Sequence, residues 1–215
     1  MNAMTGPSRV RAGRPTREQA EARHAQLLDA ALDHFLDKGF VQATIEAIAS
    51  DVGMTKRTVY AKFEDKAALF HAAVNRAIEQ YAVADEDIRA TDCGDLEQTL
   101  INIAMLRIDL VATPRGLKLQ RIINTESYRF PEIFTQSYEL GAMPTIRFLA
   151  DLLKRQTSVG TLAIDDHFAA ANTFMSMVVT GPVRYIVSGI PLERDELDKR
   201  VRFAVRLFLD GARPR

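Results

Sequence analysis

Apolar residues recur at helical spacing along most of the chain, and their pattern predicts helices almost everywhere. The first predicted helix runs from residue 17 to residue 38 and ends at Gly39, with an apolar stripe formed by Leu27, Leu28, Ala31, Leu32, Phe35 and Leu36. Further helices are predicted after Asp65 as far as Tyr81, and over about 96–112, 115–128, 131–155, 165–187 and 193–211. No segment alternates long enough to predict a strand. The pattern therefore indicates an all-α fold.

Residues 44–63 predict two short helices joined by a tight turn. The apolar stripe of the first comprises Ile45, Ile48, Ala49 and Val52. Thr44 is placed as its N-cap, and Gly53 can turn the chain because glycine adopts a left-handed backbone without steric cost. Thr55 is placed as the N-cap of the second helix, on which Val59 and Phe63 face inward.

The outward face of the second helix carries cationic, hydroxyl and aromatic side chains. Arg57 lies opposite the inward residues, with Thr58 and Tyr60 beside it. Arginine can pair with guanine edges in the major groove, whereas lysine, threonine and tyrosine can hold phosphate oxygens. This face suits DNA reading, but an ordinary helical hairpin with a solvated basic face shows the same periodicity.

The flanks of this motif make the pattern more specific. The relevant residues are Ala30-Ala31, Phe35, Gly39-Phe40, Thr44, Ile48-Ala49, Val52-Gly53-Met54-Thr55, Thr58-Val59-Tyr60, Phe63 and Asp65-Lys66-Ala67-Ala68-Leu69-Phe70. Together they resemble the DNA-binding domain of TetR-family transcriptional regulators over residues 17–80. The resemblance implies a three-helix helix-turn-helix head (17–80), a helical effector-binding and dimerisation body (81–215), and a homodimer that represses until a small molecule releases it from palindromic operator DNA.

The same resemblance assigns DNA-contacting positions residue by residue. It implies that bases are contacted by Lys56, Arg57 and Thr58. It implies that phosphates are contacted by Thr44, Tyr60, Lys62 and Lys66, and the N-cap Thr55 is included in the DNA-contacting set. Many relatives have a small residue where this chain has Arg57, so base preferences cannot be carried over. Lys66 follows the N-cap Asp65, where helix amides would assist phosphate binding, although a solvated surface lysine is the alternative.

Charge is balanced overall, so any DNA affinity must arise from local clusters. The chain has 28 basic and 28 acidic residues, yet residues 1–17 contain four arginines and no acidic residue. Residues 1–16 are predicted to form a flexible basic arm whose Arg14 could enter the minor groove, or a tail with incidental charge. No apolar run resembles a signal peptide or approaches the ~20 residues of a membrane span, which favours a cytoplasmic location.

Residues 121–132 resemble the middle of an AefR-like effector domain, which predicts a ligand site in the body. Candidate ligand-binding residues are Met105, Ile108, Ile122, Glu126, Arg129, Phe134, Tyr138, Met143 and Phe174. Apolar members of this set could equally be core residues. Glu126 and Arg129, spaced i and i+3, are expected to form an ion pair. The sequence names no ligand.

The last two predicted helices, within about residues 165–211, are expected to form the homodimer surface. One carries Phe168, Ala171, Phe174, Met175, Val178, Val179, Tyr185 and Ile186; the other carries Leu197, Val201, Ala204, Val205 and Phe208. These stripes cover too much circumference for one neighbouring helix, which implies a partner. Gly181-Pro182 predicts a kink, or a loop between two shorter helices.

An enzyme is the rival interpretation of the helical body, and the sequence supports it weakly. The four histidines are scattered, and no HExxH, GxSxG or phosphate-loop pattern occurs, so no catalytic residue, metal or cofactor is expected. Cys93, the single cysteine, excludes an internal disulfide and leaves thiol sensing as a further alternative. We therefore expect a DNA-binding regulator that responds to a small molecule.

Overall fold

A computed structural model describes residues 16–190 and 192–214, and the secondary structure of this part of the chain is entirely helical. Twelve α-helices and two π-helical segments follow one another. The α-helices are α1 (Arg17–Gln42), α2 (Ile45–Asp51), α3 (Lys56–Tyr60), α4 (Lys66–Gln80), α5 (Asp85–Ala90), α6 (Leu96–Ala112), α7 (Pro114–Glu126), α8 (Pro131–Gln136), α9 (Met143–Ser158), α10 (His167–Phe174), α11 (Gly181–Val187) and α12 (Arg194–Ala212). The π-helical segments are Ser137–Ala142 and Met175–Thr180.

Local capping explains where the helices of the head begin. The side chains of Thr16, Thr44, Thr55 and Asp65 each accept a hydrogen bond from the amide three residues later, which satisfies one of the free donors at a helix start. The regular part of α1 is interrupted at Gly39, whose positive φ turns the chain. The predicted helix-turn-helix pair is therefore present, with both predicted caps in place.

The head closes around an aromatic cluster of Phe35, Phe40, Phe70 and Phe130. The ring centroid of Phe70 lies 4.9 Å from that of Phe35 and 5.2 Å from those of Phe40 and Phe130. Phe130 enters this cluster from the connection between α7 and α8. The buried head core also includes Leu119, Ile122, Ile123 and Ile133 from α7 and α8. Two helices of the body therefore complete the core of the head.

A second core lies within the body and joins α6, α9, α10, α11 and α12. Its buried members include five residues that were expected to face a partner, namely Ala171, Phe174, Met175, Val178 and Val179. Leu197, Val201 and Val205 of α12 are buried there as well. That expectation is wrong for these residues, because α6 and α9 cover the stripe within the same chain.

Two predicted helices in the body contain π-helical turns, and one short helix was missed. Segment 131–155 changes pitch at Ser137–Ala142, and segment 165–187 changes pitch at Met175–Thr180. Gly181 keeps helical dihedral angles, so the structure has a widened turn before Pro182 and no loop. Helix α5, with three acidic residues in its first turn and Ile88 as its one buried residue, was not predicted. None of the described helices is long and apolar enough to cross a membrane.

The turn at Gly39 generates a stability prediction. Gly39 has φ +74° and ψ 167°, a backbone region essentially restricted to glycine, so Gly39→Ala should lower the free energy of unfolding by about 1–3 kcal/mol. Gly211 is the matched control, since it lies in α12 with open space around the position of a Cβ atom. Gly211→Ala should raise the free energy of unfolding by about 0.5–1 kcal/mol because alanine favours helix. Urea unfolding at one fixed protein concentration measures both, and shifts of the same sign would contradict the prediction.

Candidate DNA-reading surface and ligand cavity

Helix α3 presents a short polar surface while one side chain anchors it to the head. Val59 is fully buried, whereas Lys56, Arg57, Thr58 and Tyr60 are exposed. The N-cap hydroxyl of Thr55 accepts from the Thr58 amide at 3.2 Å and lies 2.9 Å from the Thr58 hydroxyl. Among the other predicted DNA contacts, Thr44 and Lys62 are exposed as well. We name the exposed side chains of Lys56, Arg57, Thr58 and Tyr60 the reading surface.

The two cations of the reading surface differ in their surroundings. Lys56 forms an ion pair with Glu46 of α2, and its ammonium nitrogen lies 5.6 Å from the centre of the Tyr60 ring. The hydrogen bond between Lys56 and Glu46 raises the pKa of Lys56 and lowers the pKa of Glu46. Arg57 has no ion-pair partner among the described residues. Its guanidinium group is therefore available for another acceptor.

Lys66 is engaged by the protein itself. Its ammonium group donates to the carbonyl oxygens of Val41 and Ala43, both at 3.1 Å, and lies 4.7 Å from the centre of the Phe40 ring. These contacts tie the start of α4 to the C-terminal end of α1. Lys66 is thus neither a solvated surface lysine nor a fully free phosphate ligand. The remaining predicted DNA contact, Arg14, lies outside the described residues.

A cavity of about 440 Å³ lies between the head and the body. It is bounded by α4, α6, α7, α8, both π-helical segments, α9, α10 and α11. Apolar lining residues include Ile78, Tyr81, Leu110, Val111, Leu119, Ile123, Phe134, Ala142, Ile146, Met175, Val179 and Val183. Polar lining residues are Arg107, Gln120, Asn124, Ser137, Tyr138, Asn172, Ser176 and Thr180. A concave, mainly apolar site with a few polar groups is the usual form of a small-molecule pocket.

The structure brings two of the nine predicted ligand residues to this cavity, Phe134 and Tyr138. Their rings stack with centroids 6.5 Å apart, and the Tyr138 hydroxyl donates to Asn172 at 3.0 Å. The other seven lie outside the lining: Met105, Ile108, Ile122, Glu126, Arg129, Met143 and Phe174. Ile108 and Phe174 are buried in the body core, and Ile122 in the head core. Helical spacing alone could not show which apolar residues line the cavity and which are buried in a core.

The expected ion pair between Glu126 and Arg129 does not form. Helix α7 ends at Glu126, so the two side chains do not share a helix face. The guanidinium carbon of Arg129 instead lies 4.5 Å from the centre of the Phe40 ring and 5.5 Å from that of Phe130. Arg129 therefore covers the aromatic cluster of the head through cation–π contacts.

Sequence reasoning missed Arg107, which among the described residues is the one ionised side chain that lines the cavity. Arg107 lies on α6 at the spacing of the buried residues Leu100, Ile103, Ala104 and Ile108. A charged residue on an otherwise apolar helical stripe is the signal that could have identified it. Burial lowers the pKa of Arg107, because its charged form loses hydration.

Both π-helical segments also line the cavity, which the sequence did not reveal. Ser137, Tyr138, Gly141 and Ala142 come from the first segment, and Met175, Ser176, Val179 and Thr180 from the second. π-helical turns are often found at functional sites. Within the described part of the chain, no group of three or more His, Cys, Asp or Glu side chains could hold a metal ion.

Two known protein families together match most of the described chain. Residues 27–73 match the family described as bacterial regulatory proteins, tetR family. Residues 98–211 match the family described as AefR-like transcriptional repressor, C-terminal domain. The chain is 26% identical over 168 residues to the HTH-type transcriptional repressor Rv1474c of Mycobacterium tuberculosis (strain ATCC 25618 / H37Rv), covering 78% of this chain and 84% of that protein. It is 43% identical over 60 residues to the HTH-type transcriptional repressor BepR of Brucella suis biovar 1 (strain 1330), covering 28% of each.

Solved structures show the same architecture. A TetR-family transcriptional regulator from Mesorhizobium loti MAFF303099 superposes with a TM-score of 0.74 at 25% identity, covering 93% of this chain and all of that one. The flavonoid-responsive regulator FrrA superposes with a TM-score of 0.70 at 29% identity, covering 91% of this chain and 99% of that one. The matches over both parts of the chain, together with the capped helix-turn-helix and the helical body, show that the protein is a transcriptional regulator of the TetR family with an AefR-like C-terminal domain, and not an enzyme.

Proposed function

We propose that this regulator is a repressor that holds palindromic operator DNA as a homodimer in the cytoplasm and releases it when a small molecule fills the cavity. The proposal rests on side chains that belong both to the cavity lining and to the head core. Ile78 of α4, and Leu119 and Ile123 of α7, line the cavity and are also buried in the head core. A ligand that displaces these side chains must therefore disturb the packing that positions the head.

Ion pairs across the same contact support a fixed placement of α7 on the head. Arg115 and Lys118 of α7 lie 3.3 Å from Asp29 and Asp37 of α1 respectively. These pairs are exposed, so each stabilises the contact by only about 0–1 kcal/mol. Their role is to define the register of α7 against α1, while the apolar contacts supply most of the attraction.

The reading surface explains how such a displacement would change DNA affinity. In a dimer, the two copies of α3 would enter successive major grooves about 34 Å apart. A ligand that prefers a different placement of α4 and α7 changes this separation, and it lowers operator affinity by its differential affinity for the two states. The name of one similar structure, the flavonoid-responsive regulator FrrA, supports response to a small molecule.

We propose that α10 to α12 provide the dimer surface, through side chains different from the buried stripe. Phe203 and Leu207 of α12 are 65% and 56% exposed and lie one helical turn apart. Tyr185 of α11 and Phe168 of α10 are each 44% exposed. Apolar side chains of this size are rarely left in water as a group, and a second copy of the chain would cover them symmetrically.

The reading surface is tested with DNA selected by the wild-type dimer from a random pool. Arg57→Ala should weaken binding to the selected palindrome about tenfold to hundredfold, because it removes a donor pair for a base edge. Tyr60→Ala should also weaken binding by removing a phosphate contact. The control Arg147→Ala removes an exposed arginine of α9 and should leave affinity unchanged. Fluorescence anisotropy measures the affinities; wild-type affinity in both α3 variants would show that DNA is bound elsewhere.

The ion pair at Lys56 generates a second prediction about DNA binding. Glu46→Gln keeps the shape of the side chain and releases Lys56 from its carboxylate, so operator affinity should rise. The plot of log affinity against log salt should steepen by up to about 0.9, because the released ammonium group adds one positive charge at the DNA surface and displaces counter-ions. Asp92→Asn is the control, because Asp92 pairs with Arg155 in the body and lies in no predicted DNA contact. Unchanged affinity and slope in Glu46→Gln would show that the Glu46 pair does not limit DNA binding by Lys56.

The dimer surface is tested by placing charge on it. Phe203→Glu and Leu207→Glu should each raise the dimer dissociation constant at least tenfold, because a carboxylate would be buried without a partner. Val159→Glu is the control, since Val159 is 73% exposed at the end of α9. Sedimentation velocity over a concentration series gives the dissociation constants. Dimers of unchanged strength in both α12 variants would place the interface on another surface.

A further inference from the structure

We propose that the effector is an apolar molecule carrying one carboxylate group, and that Arg107 binds this group inside the cavity. The inference rests on the proposed function, since it names the chemistry of the ligand that fills the same cavity. It goes further because it assigns the charge of the ligand and the side chain that recognises this charge.

The guanidinium group of Arg107 has buried nitrogen atoms that form no hydrogen bond with the described residues. The Nε and Nη1 atoms of Arg107 are buried and have no hydrogen-bond partner among the described residues. Arginine carries five N–H donors in a planar fork, and it keeps its charge in proteins. A guanidinium group with two buried and unpaired nitrogen atoms is therefore costly, and natural proteins rarely retain one unless it serves a ligand or a partner group.

The second observation is the electrostatic character of the cavity. Among the described residues, Arg107 is the one ionised side chain in the lining, and no aspartate or glutamate of this part of the chain joins it there. The acidic residue closest along α6, Asp109, is exposed and pairs with Arg194 of α12. The described part of the chain thus offers Arg107 no counter-ion, and the interior of the cavity is positive. A low-dielectric site of this kind favours an anion over a cation of similar shape.

The third observation is the chemistry of the remaining lining. The amide and hydroxyl groups of Gln120, Asn124, Ser176 and Thr180 can orient a ligand, while the rest of the surface is mainly apolar. A carboxylate matches the fork of a guanidinium group through two parallel hydrogen bonds. The volume of about 440 Å³ leaves room for a substantial apolar body beyond this pair. These features together describe an amphipathic monocarboxylate.

Two pairs of probes separate charge from shape: decanoate with decanamide, and 2-naphthoate with 2-naphthamide. Isothermal titration calorimetry on the full-length dimer should show that each acid binds more tightly than its amide. Arg107→Met should weaken binding of the acids about tenfold to hundredfold, the loss expected for a buried charge-assisted hydrogen bond, and should leave the amides unchanged. Arg107→Lys retains the charge without the fork, so it should keep a reduced preference for the acids.

A thermal readout distinguishes a ligand-binding arginine from a structural one. Without ligand, Arg107→Met should raise the melting temperature by about 2–4 °C, because an apolar side chain replaces an unpaired buried charge. Arg147→Met, on the exposed face of α9, is the matched control and should change neither the melting temperature nor the affinity for any probe. A lower melting temperature for Arg107→Met with an intact preference for acids would overturn the proposal.

The remaining outcomes separate this inference from the proposed function. Equal binding of acid and amide by the wild type, or no binding of either acid at millimolar concentration, overturns the role of Arg107. Release of the selected operator by the amides would overturn it as well, while leaving effector-controlled repression intact. A wild-type dimer that holds no selected DNA in the absence of probes would instead overturn the proposed function.

Discussion

The packing of α7 against α1 and α4 is the contact on which the other features of the structure depend. Its inner side chains complete the head core, and two of them, Leu119 and Ile123, also form a wall of the cavity. The aromatic cluster around Phe70 strengthens this contact, because Phe130 enters it from the segment after α7. Since close-packed interiors do not deform continuously, the proposed ligand would act on the head by shifting whole helices. The head core and the cavity wall therefore share side chains.

Four cations show how environment, and not residue type, assigns a role. Arg57 is exposed and unpaired among the described residues, which leaves it available to DNA. Lys56 is exposed but held by Glu46, so it must exchange one anion for another to contact phosphate. The ammonium group of Lys66 donates hydrogen bonds to backbone carbonyl groups at the end of α1. Arg107 lines the cavity with two buried nitrogen atoms and no counter-ion among the described residues, which suits the proposed anionic ligand.

Much of the head could be predicted because its signals act over three or four residues. Thr44 and Thr55 cap their helices through the next turn, and Val59 is buried by its position on a short helix. The cavity was predicted poorly because lining and core residues have the same periodicity. Phe134 lines the cavity, whereas Phe174, an equally apolar aromatic on a predicted helix, is buried in the body core. Only the positions of other helices distinguish the two.

The sequence by itself determined the all-helical class, the capped helix-turn-helix and the exposed reading side chains, since short-range hydrogen bonds and helical periodicity specify them. The tertiary structure decided which apolar stripes are covered within one chain, where the pitch of two helices widens, and that α7 packs into the head core while it also lines the cavity. It also decided that two guanidinium nitrogen atoms of Arg107 would be buried while Phe203 would remain exposed. These outcomes depend on contacts between residues far apart in the chain, and no local pattern encodes such contacts.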